Sequence, residues 1–506
     1  MKKCKMLILG VAAALTFSGT GSVIEAKADA VVSDNYAIEF YAGGSSVSYY
    51  IDKENNLYVS GSNGFGVFGD GTKGGTLYTP KNIAGNVKSV ASGKSGFAIV
   101  LKNDGSICTF GNNKYAQLGL DTAYNDDSET NCVLTQEAPE LPSGVTIEAV
   151  AAGDAFSVLL SSDGDVYTCG RAGDGQTGQA GLNLTRKTVV GKFTKIDESY
   201  FGNEKITKID AAENAGFALS ESGNVYVWGA NDRGILANGE TDENLINETP
   251  VKIEELSGIT EISASTMTAF ALDKDGRLYA WGDNSVGQTG LDFAETAIAS
   301  PTEITKFYET DGTETEIEIS SVLAGGRTNF VLSKDGRIFS FGESGKGQAA
   351  FNLQSAEYAT NPCVRESSVV KPMRVTFYKP ISLENDAELA EREYKDKIPV
   401  DTSTKADVKI AALIGSSGDR TFVKDTVGNT WSWGVNLYAM ACSGDAFDCS
   451  VPVRSTLYRK ENYDKTYVEK NYLIKPAVVM SCVVAFAVCW MTAEEIKIRK
   501  QKKQIR

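Results

Sequence analysis

The stretch from Lys274 to Gly290, KDGRLYAWGDNSVGQTG, contains the residue types of two kinds of ligand site. Together with Asp273 it begins Asp-x-Asp-Gly, as a calcium loop does, but such a loop needs further oxygen ligands that include a glutamate at position 12. Position 12 counted from Asp273 is Asn284. The glycine-rich run could hold a phosphate, but no Gly-Lys-Ser/Thr follows it and no helical pattern begins there. The stretch therefore predicts neither a metal site nor a nucleotide site.

The 506-residue chain contains no histidine. Its absence excludes Ser-His-Asp and Cys-His nucleophiles, histidine-containing zinc sites and imidazole acid–base catalysis near neutral pH, and leaves carboxylate or tyrosine chemistry open. No cysteine pair has Cys-x-x-Cys spacing, which argues against a metal or redox centre. Cys442 and Cys449 are close enough in sequence to form a disulfide across a loop, or to remain two thiols. We predict no catalytic residue, no metal and no cofactor, and a protein that is not an enzyme.

The opening stretch belongs to a repeat of seven units, each marked by a glycine at the end of an aromatic, strand-like segment. Six positions before the marker stands another glycine, or Asn55 in the first unit, and these residues readily adopt the positive φ of a tight hairpin turn. The residues one and three positions before the marker are mostly aromatic, so they share one face of a strand and should pack in the core. The marker glycines are Gly61, Gly111, Gly170, Gly229, Gly282, Gly342 and Gly434.

Small residues precede every hairpin, as in AGG from Ala42, AAG from Ala151 and AGG from Ala324. In a radial array of sheets the strand nearest the axis is crowded, so it requires small side chains. Prolines such as Pro250 and Pro301 follow most hairpins in or near β-rich runs. Each unit therefore predicts the four short strands of a propeller blade.

The order small-small-Gly, Asp-Gly, Val/Leu-Tyr-x-Trp-Gly and Asn-x-x-Gly-Gln-x-Gly resembles the regulator of chromosome condensation repeat. The resemblance covers about residues 35–457 and implies an all-β fold, a seven-bladed β-propeller. The family usually has a histidine eight positions before the hairpin glycine, where this chain has Phe97, Phe156, Thr268, Thr328 and others. The founding member promotes nucleotide exchange on a small GTPase and binds chromatin, but we transfer none of its functional residues to this sequence.

An insertion at about 379–408 interrupts the repeat before its seventh unit. Its charged segment from Leu383 to Lys397 has a helical composition. The segment is predicted to project from a loop, either as a solvated decoration or as an element that binds a partner.

The two ends of the chain predict export and anchoring. Residues 1–30 combine lysines, an apolar run and small-x-small cleavage patterns, as a secretory signal peptide does, although a short buried helix is an alternative. Residues 475–492 predict one transmembrane helix, or else a buried C-terminal helix, followed by a basic tail at 493–506 that is expected in the cytoplasm. The propeller at 31–457 and a stalk at 458–474 would then be extracellular, in a bacterial type of exported, membrane-anchored protein.

The exported region is acidic, with 39 basic and 61 acidic residues in 30–472 and hence a net charge of −22. Nucleic acid is therefore not an expected partner. We predict a non-enzymatic module at the cell surface that presents propeller loops to a protein. The alternative is carbohydrate binding or hydrolysis at the cell wall, and a third possibility is guanine-nucleotide exchange on a small GTPase. Phe65, Tyr115 and Tyr438 follow marker glycines and are the candidate contact residues, since aromatic side chains on loops can stack on sugars.

Overall fold

The computed structural model describes residues 38–44, 46–127, 130–180, 185, 187–291, 293–380, 400–436 and 448–455. The predicted signal peptide, stalk, transmembrane helix and cytoplasmic tail all lie outside these ranges, as does the segment from Leu383 to Lys397. Within the described ranges, no helix has both the length and the apolar character needed to cross a membrane.

The described residues form antiparallel sheets whose four strands follow one another along the chain. The first sheet comprises β1 (Ile38–Gly43), β2 (Val47–Asp52), β3 (Leu57–Ser62) and β4 (Thr76–Ala84), and the second β5 (Val87–Gly93), β6 (Phe97–Lys102), β7 (Ile107–Asn112) and β8 (Cys132–Glu137). The third comprises β9 (Ile147–Ala152), β10 (Phe156–Ser161), β11 (Val166–Arg171) and β12 (Val189–Lys195), and the fourth β13 (Ile206–Ala211), β14 (Ala215–Ser220), β15 (Val225–Ala230) and β16 (Ile246–Lys252). The fifth comprises β17 (Ile259–Ser265), β18 (Thr268–Asp273), β19 (Leu278–Asp283) and β20 (Ala297–Glu303).

The sixth sheet is larger, because short strands extend its outer edge. One of these, β21, pairs in parallel with β27. The strands of the sixth sheet are β21 (Phe307–Tyr308), β22 (Glu314–Thr315), β23 (Ile319–Ala324), β24 (Thr328–Ser333), β25 (Ile338–Glu343), β26 (Val364–Arg365) and β27 (Ser368–Arg374). A separate hairpin joins β28 (Phe377–Pro380) to β29 (Val400–Ala406), and the last sheet comprises β30 (Ile410–Ser416), β31 (Arg420–Asp425), β32 (Thr430–Gly434) and β33 (Cys449–Ser455). Three short 3-10 helices occur in the described residues, at Glu198–Phe201, Asp232–Gly234 and Ala356–Tyr358.

The sheets close into a ring around a central axis. The first strand of each sheet contacts the first strand of the next, from β1 through β5, β9, β13, β17 and β23 to β30, and β30 contacts β1. The prediction of an all-β propeller is confirmed. In place of seven equal blades, the ring has six four-stranded sheets and one seven-stranded sheet. The ends of the predicted insertion lie partly in the β28–β29 hairpin, which joins the sixth sheet to the last.

The aromatic residues just before the marker glycines connect neighbouring sheets. Trp281 is fully buried and donates its Nε1–H to the carbonyl of Ile235 in the preceding sheet, at 2.9 Å. Trp228 and Trp433 make the same bond to the carbonyls of Gln176 and Gln348, each at 3.0 Å. The predicted core role of these aromatic positions is therefore correct, and the indole N–H adds a hydrogen bond between sheets.

The motif that follows each marker glycine completes the contact between sheets. At Gly287, with φ 77°, an added Cβ would lie 2.6 Å from the Cα of Val370 in β27 of the next sheet. Only glycine combines this backbone conformation with so close an approach.

Asp273 stabilises the hairpin turn that precedes the marker glycine. Its Oδ1 accepts the backbone N–H of Asp275 and of Arg277, both at 2.9 Å.

Candidate functional site

Two sets of turns lie at the same end of the propeller. In an antiparallel four-stranded sheet, the turns after the first and third strands share one end and the turn after the second strand lies at the other. We call the first end the loop face and define it by the described residues of these connections. The turns after the first strands lie near 44–46, 94–96, 153–155, 212–214, 266–267, 325–327 and 417–419, and the connections after the third strands begin at 63, 113, 172, 231, 284, 344 and 435.

A cavity of about 760 Å³ lies at the centre of the ring and is lined mainly by the first strands of the sheets. Its wall is built from small residues such as Ala91, Ala151 and Ala324. This placement agrees with the prediction that crowding near the axis requires small side chains.

The rim of this cavity on the loop face is held by hydrogen bonds between successive turns. The backbone N–H of Ser95 donates to the carbonyl of Asp154 at 3.2 Å, Asp154 donates to Glu213 at 2.8 Å, and Glu213 donates to Thr266 at 2.7 Å. The side chains of Lys94 and Glu213 form an ion pair at 2.8 Å. The turns of the second to fifth sheets therefore form one connected rim.

The rim carries charges of both signs. Burial, and then the charge of Glu213, raise the pKa of Asp154, and burial raises the pKa of Asp419. Arg327 and Glu343 form an ion pair at 2.6 Å on the sixth sheet. The charged groups that are held in place on the rim are therefore the two ion pairs, Lys94 with Glu213 and Arg327 with Glu343.

Phe65 and Tyr115 occupy the same position of the turn after the third strand, in the first and second sheets. Phe65 is 47% exposed, and its ring lies against Gly96, where an added Cβ would come within 2.5 Å of the ring. Tyr115 is half-buried. The structure thus places both predicted contact residues on the loop face. Tyr438 and Cys442 lie outside the described residues, and Cys449 is buried in β33.

Tyr115 is the centre of a group that the sequence analysis missed. Its ring meets that of Tyr124 with 5.4 Å between centroids, and Lys114 Nζ lies 5.6 Å and 5.7 Å from the two ring centroids. Arg171 lies 5.8 Å from the Tyr115 ring, and Lys187 lies 5.1 Å from the Tyr124 ring. We call these five residues the cation–aromatic cluster. Two of its cations come from the third sheet, so no local sequence pattern could have identified it.

The family is shown by comparison with known sequences. The model described as the RCC1-like domain matches residues 97–467. The chain belongs to this family. The predicted resemblance to the regulator of chromosome condensation repeat is therefore confirmed.

The curated relatives have diverse functions. The ultraviolet-B receptor UVR8 of Arabidopsis thaliana is 28% identical over 299 residues, which is 58% of this chain and 62% of the receptor. The secretion-regulating guanine nucleotide exchange factor of Mus musculus is 27% identical over 327 residues, 62% of this chain and 65% of that protein. The probable E3 ubiquitin-protein ligase HERC6 of Homo sapiens is 29% identical over 220 residues, 43% of this chain and 20% of the ligase. The chain thus spans less than two thirds of the length of each of these relatives.

One finding corrects the sequence analysis. The prediction that the protein is not an enzyme is overturned by relatives that are E3 ligases, such as HERC6, in which the match covers only part of a longer enzyme. The repeat therefore gives no ground for excluding enzymes.

Among solved structures, that of yeast RCC1 (Prp20) with Kap60 bound has the same fold. The TM-score is 0.58 at 18% identity, over 85% of each chain.

Proposed function

We propose that this RCC1-like chain binds a protein partner through its loop face. In this proposal the cation–aromatic cluster and Phe65 supply the main contacts on the first three sheets. The observation that carries it is the contrast between constant buried residues and variable exposed residues in the same turns.

A buried glutamine fixes the backbone of the variable position in four of the turns. Gln117 Oε1 accepts the backbone N–H of Tyr115 at 2.8 Å, and Gln117 is fully buried. The same bond joins Gln176 to Asp174, Gln288 to Val286 and Gln348 to Lys346, at 2.8, 2.9 and 2.8 Å. The side chains held in this way are unlike one another. Such a rigid scaffold with variable outward residues suits recognition of a specific partner.

The geometry around Tyr115 favours a protein over a sugar. Sugar stacking uses an open aromatic face, whereas here Lys114, Arg171 and Tyr124 approach the Tyr115 ring. Tyrosine and arginine are the residue types that contribute most of the binding energy at protein–protein interfaces.

The proposal is tested by site-specific cross-linking. The photo-cross-linking residue p-benzoylphenylalanine replaces Tyr115 in one variant of the full-length chain and Val427 in another. Val427 is 82% exposed and lies in the turn after β31, at the opposite end of the propeller. We expect a discrete protein adduct in cells from position 115 and none from position 427. Equal labelling from both positions, or no adduct from 115, contradicts the proposal.

Glycan binding is separated by a second measurement on the same chain. Glycan-array binding that is lost in Tyr115→Ala would favour the carbohydrate alternative. Absence of glycan signal together with a position-115 protein adduct supports a protein partner.

We further propose that the propeller is exported and anchored at the cell surface, with residues 31–457 outside. The lysine-rich apolar segment at 1–30 and the apolar segment at 475–492 support this location. Digestion of intact cells with an external protease should remove the propeller and leave a short C-terminal fragment. Full protection of the propeller contradicts the surface location.

Nucleotide exchange on a small GTPase is the second candidate, because a relative matched over 327 residues is a guanine nucleotide exchange factor. It requires the propeller to lie in the cytoplasm. Two results together would favour it: the purified chain accelerates GDP release from a small GTPase, and the propeller is protected from an external protease in intact cells.

A further inference from the structure

A second crevice lies at the end of the propeller opposite the loop face. It has a volume of about 360 Å³, within the range of roughly 300–1,000 Å³ that is usual for ligand pockets. The turn after β24, the end of β27 and the end of β29 surround it, together with residues 309–310 between β21 and β22. We call it the basal crevice. Its charged lining residues are Glu309, Arg337, Arg374, Lys405 and Asp407.

Two arginines of the basal crevice share one carboxylate. Arg337 Nη1 donates to Glu309 Oε1 at 3.0 Å, and Arg374 Nη1 donates to Glu309 Oε2 at 3.1 Å. Arg337 is further held by Asp335 at 2.8 Å and by the carbonyl of Glu316 at 3.0 Å. Arg337 is therefore a fixed part of the wall, and Glu309 orients the exposed edge of Arg374.

The other two cations of the lining, Arg374 and Lys405, have N–H donors that are available to a ligand. In the described part of the chain, Arg374 bonds through Nη1 alone, and Lys405 makes no ion pair, although its charge acts on Asp311. Glu309 and Asp335 both pair with Arg337, so the cationic groups of the lining that remain for a ligand are Arg374 and Lys405. Two neighbouring cations suit the carboxylate of a ligand.

The other wall of the crevice is apolar. Ile338, Val375 and Phe377 are at most 5% exposed and form its floor, while Ala406 and Val408 are half-buried at its mouth. A ligand that fits both walls carries a carboxylate next to an apolar side chain, which is the chemistry of an acidic and apolar peptide segment.

We propose that the basal crevice binds a peptide segment of a partner, with a carboxylate side chain on Arg374 and Lys405 and an apolar side chain against Ala406 and Val408. This site is separate from the loop face, so it stands whether or not the proposed function is correct. The extra strands β21, β22 and β26 occur only in the sixth of the sheets described, and the connection between β21 and β22 supplies Glu309 and Thr310 to the crevice.

The test is fluorescence anisotropy with the full-length chain and a labelled peptide, Gly-Asp-Leu-Asp-Leu-Gly. The matched probe Gly-Asn-Leu-Asn-Leu-Gly has nearly the same shape and lacks the two side-chain charges. We expect saturable binding of the acidic peptide that weakens with salt, and an affinity about tenfold lower in Arg374→Gln and in Lys405→Gln, since a charge-assisted hydrogen bond is lost. Lys334→Gln is the control, because Lys334 is an exposed cation of the same sheet outside the crevice.

Three results would overturn the proposal. The first is equal binding of the two peptides, and the second is unchanged affinity in both crevice variants. The third is tighter peptide binding after deletion of residues 383–397, since the chain's own acidic residues would then be the occupant of the crevice. Tryptophan fluorescence verifies folding of each variant, because Phe377 packs on Trp431 and Trp433 at 5.3 Å and 6.5 Å between centroids.

Discussion

Asp210 is a half-buried carboxyl that lines the central cavity in the innermost strand of the fourth sheet, where the equivalent residues of the neighbouring sheets are uncharged: Ala151 before it and Ser263 after it. Its Oδ2 accepts the backbone N–H of Ala264 in the next sheet at 2.8 Å. Ser263 accepts the N–H of Ala324 in the same way, at 2.9 Å. The hydrogen bond between neighbouring sheets is therefore repeated, with the Asp210 carboxyl as acceptor in the fourth sheet and the Ser263 hydroxyl in the fifth. Only the acceptor in the fourth sheet can change its protonation state.

Asp210→Asn is predicted to change the pH dependence of stability. Burial raises the pKa of Asp210 from 3.8 to about 7 in the folded chain. The protonated form is therefore favoured by folding, so this stabilisation is complete below pH 3.8 and is lost as the pH rises towards 7. Asparagine keeps an oxygen acceptor without the charge, and should raise the free energy of unfolding at pH 8 by roughly 1–4 kcal/mol. Urea unfolding at pH 5 and pH 8 measures the difference.

Asp273→Asn is the control, and its expected effect on stability at pH 8 has the opposite sign. Burial acts to raise the pKa of Asp273, but hydrogen bonds from Arg277 outweigh burial and lower it. That carboxylate stabilises the fold above its unfolded pKa, so its removal should cost stability at pH 8. Identical pH profiles for the two variants would contradict both assignments.

The sequence repeat specified the strands well, because hairpin glycines, alternating aromatics and small inner residues each have a local physical cause. The order of strands within the sheets, the buried tryptophans and the small-residue wall all follow from those patterns. The enlarged sixth sheet does not, because β21 pairs with β27 through a contact between distant residues whose composition is ordinary. For the same reason Tyr115 was predicted as a contact residue, whereas Arg171 and Lys187, which reach the rings of Tyr115 and Tyr124 from the next sheet, were not.

Two glycines of the opening stretch separate backbone strain from packing between sheets. Gly276 and Gly287 have φ values of 84° and 77°. A Cβ at Gly276 would meet nothing within 4 Å, whereas a Cβ at Gly287 would collide with Val370. Gly276→Ala should therefore cost about 1–2 kcal/mol for the backbone alone. Gly287→Ala should cost at least ~2 kcal/mol more than Gly276→Ala, since the collision with Val370 adds an overpacking cost to the backbone strain. Chemical denaturation of the two variants measures both values, and equal losses would show that the motif glycine serves the turn and not the contact between sheets.

The ring closes without a shared sheet, because the first sheet is built from residues 38–84 and the last from 410–455. Side chains join these two ends of the described chain. Arg420 is 1% exposed and donates from Nη1 to the hydroxyls of Tyr41 and Ser48, at 3.3 Å and 3.2 Å. The ion pair of Lys424 with Glu39 lies along the same seam. Arg420 stands eight positions before the hairpin glycine of its unit, where the family usually has histidine.

Arg420→Ala is predicted to destabilise this seam. The loss in the free energy of unfolding should exceed the contribution of an exposed ion pair. The substitution leaves the hydroxyls of Tyr41 and Ser48 without their cationic donor and opens a cavity, at a cost of about 3–5 kcal/mol. The loss should be local first, because the contacts between the other sheets do not involve Arg420. We expect the substitution to accelerate hydrogen exchange in β1 and β31, and to leave the exchange of β17 and β18 nearly unchanged. Hydrogen exchange followed by mass spectrometry measures both. Arg277→Ala, which removes a half-exposed partner of Asp273, should cost far less stability than Arg420→Ala and leave exchange at the seam unchanged. Uniform acceleration around the whole ring in Arg420→Ala would instead mean that the propeller opens as a single cooperative unit, with no weakest contact.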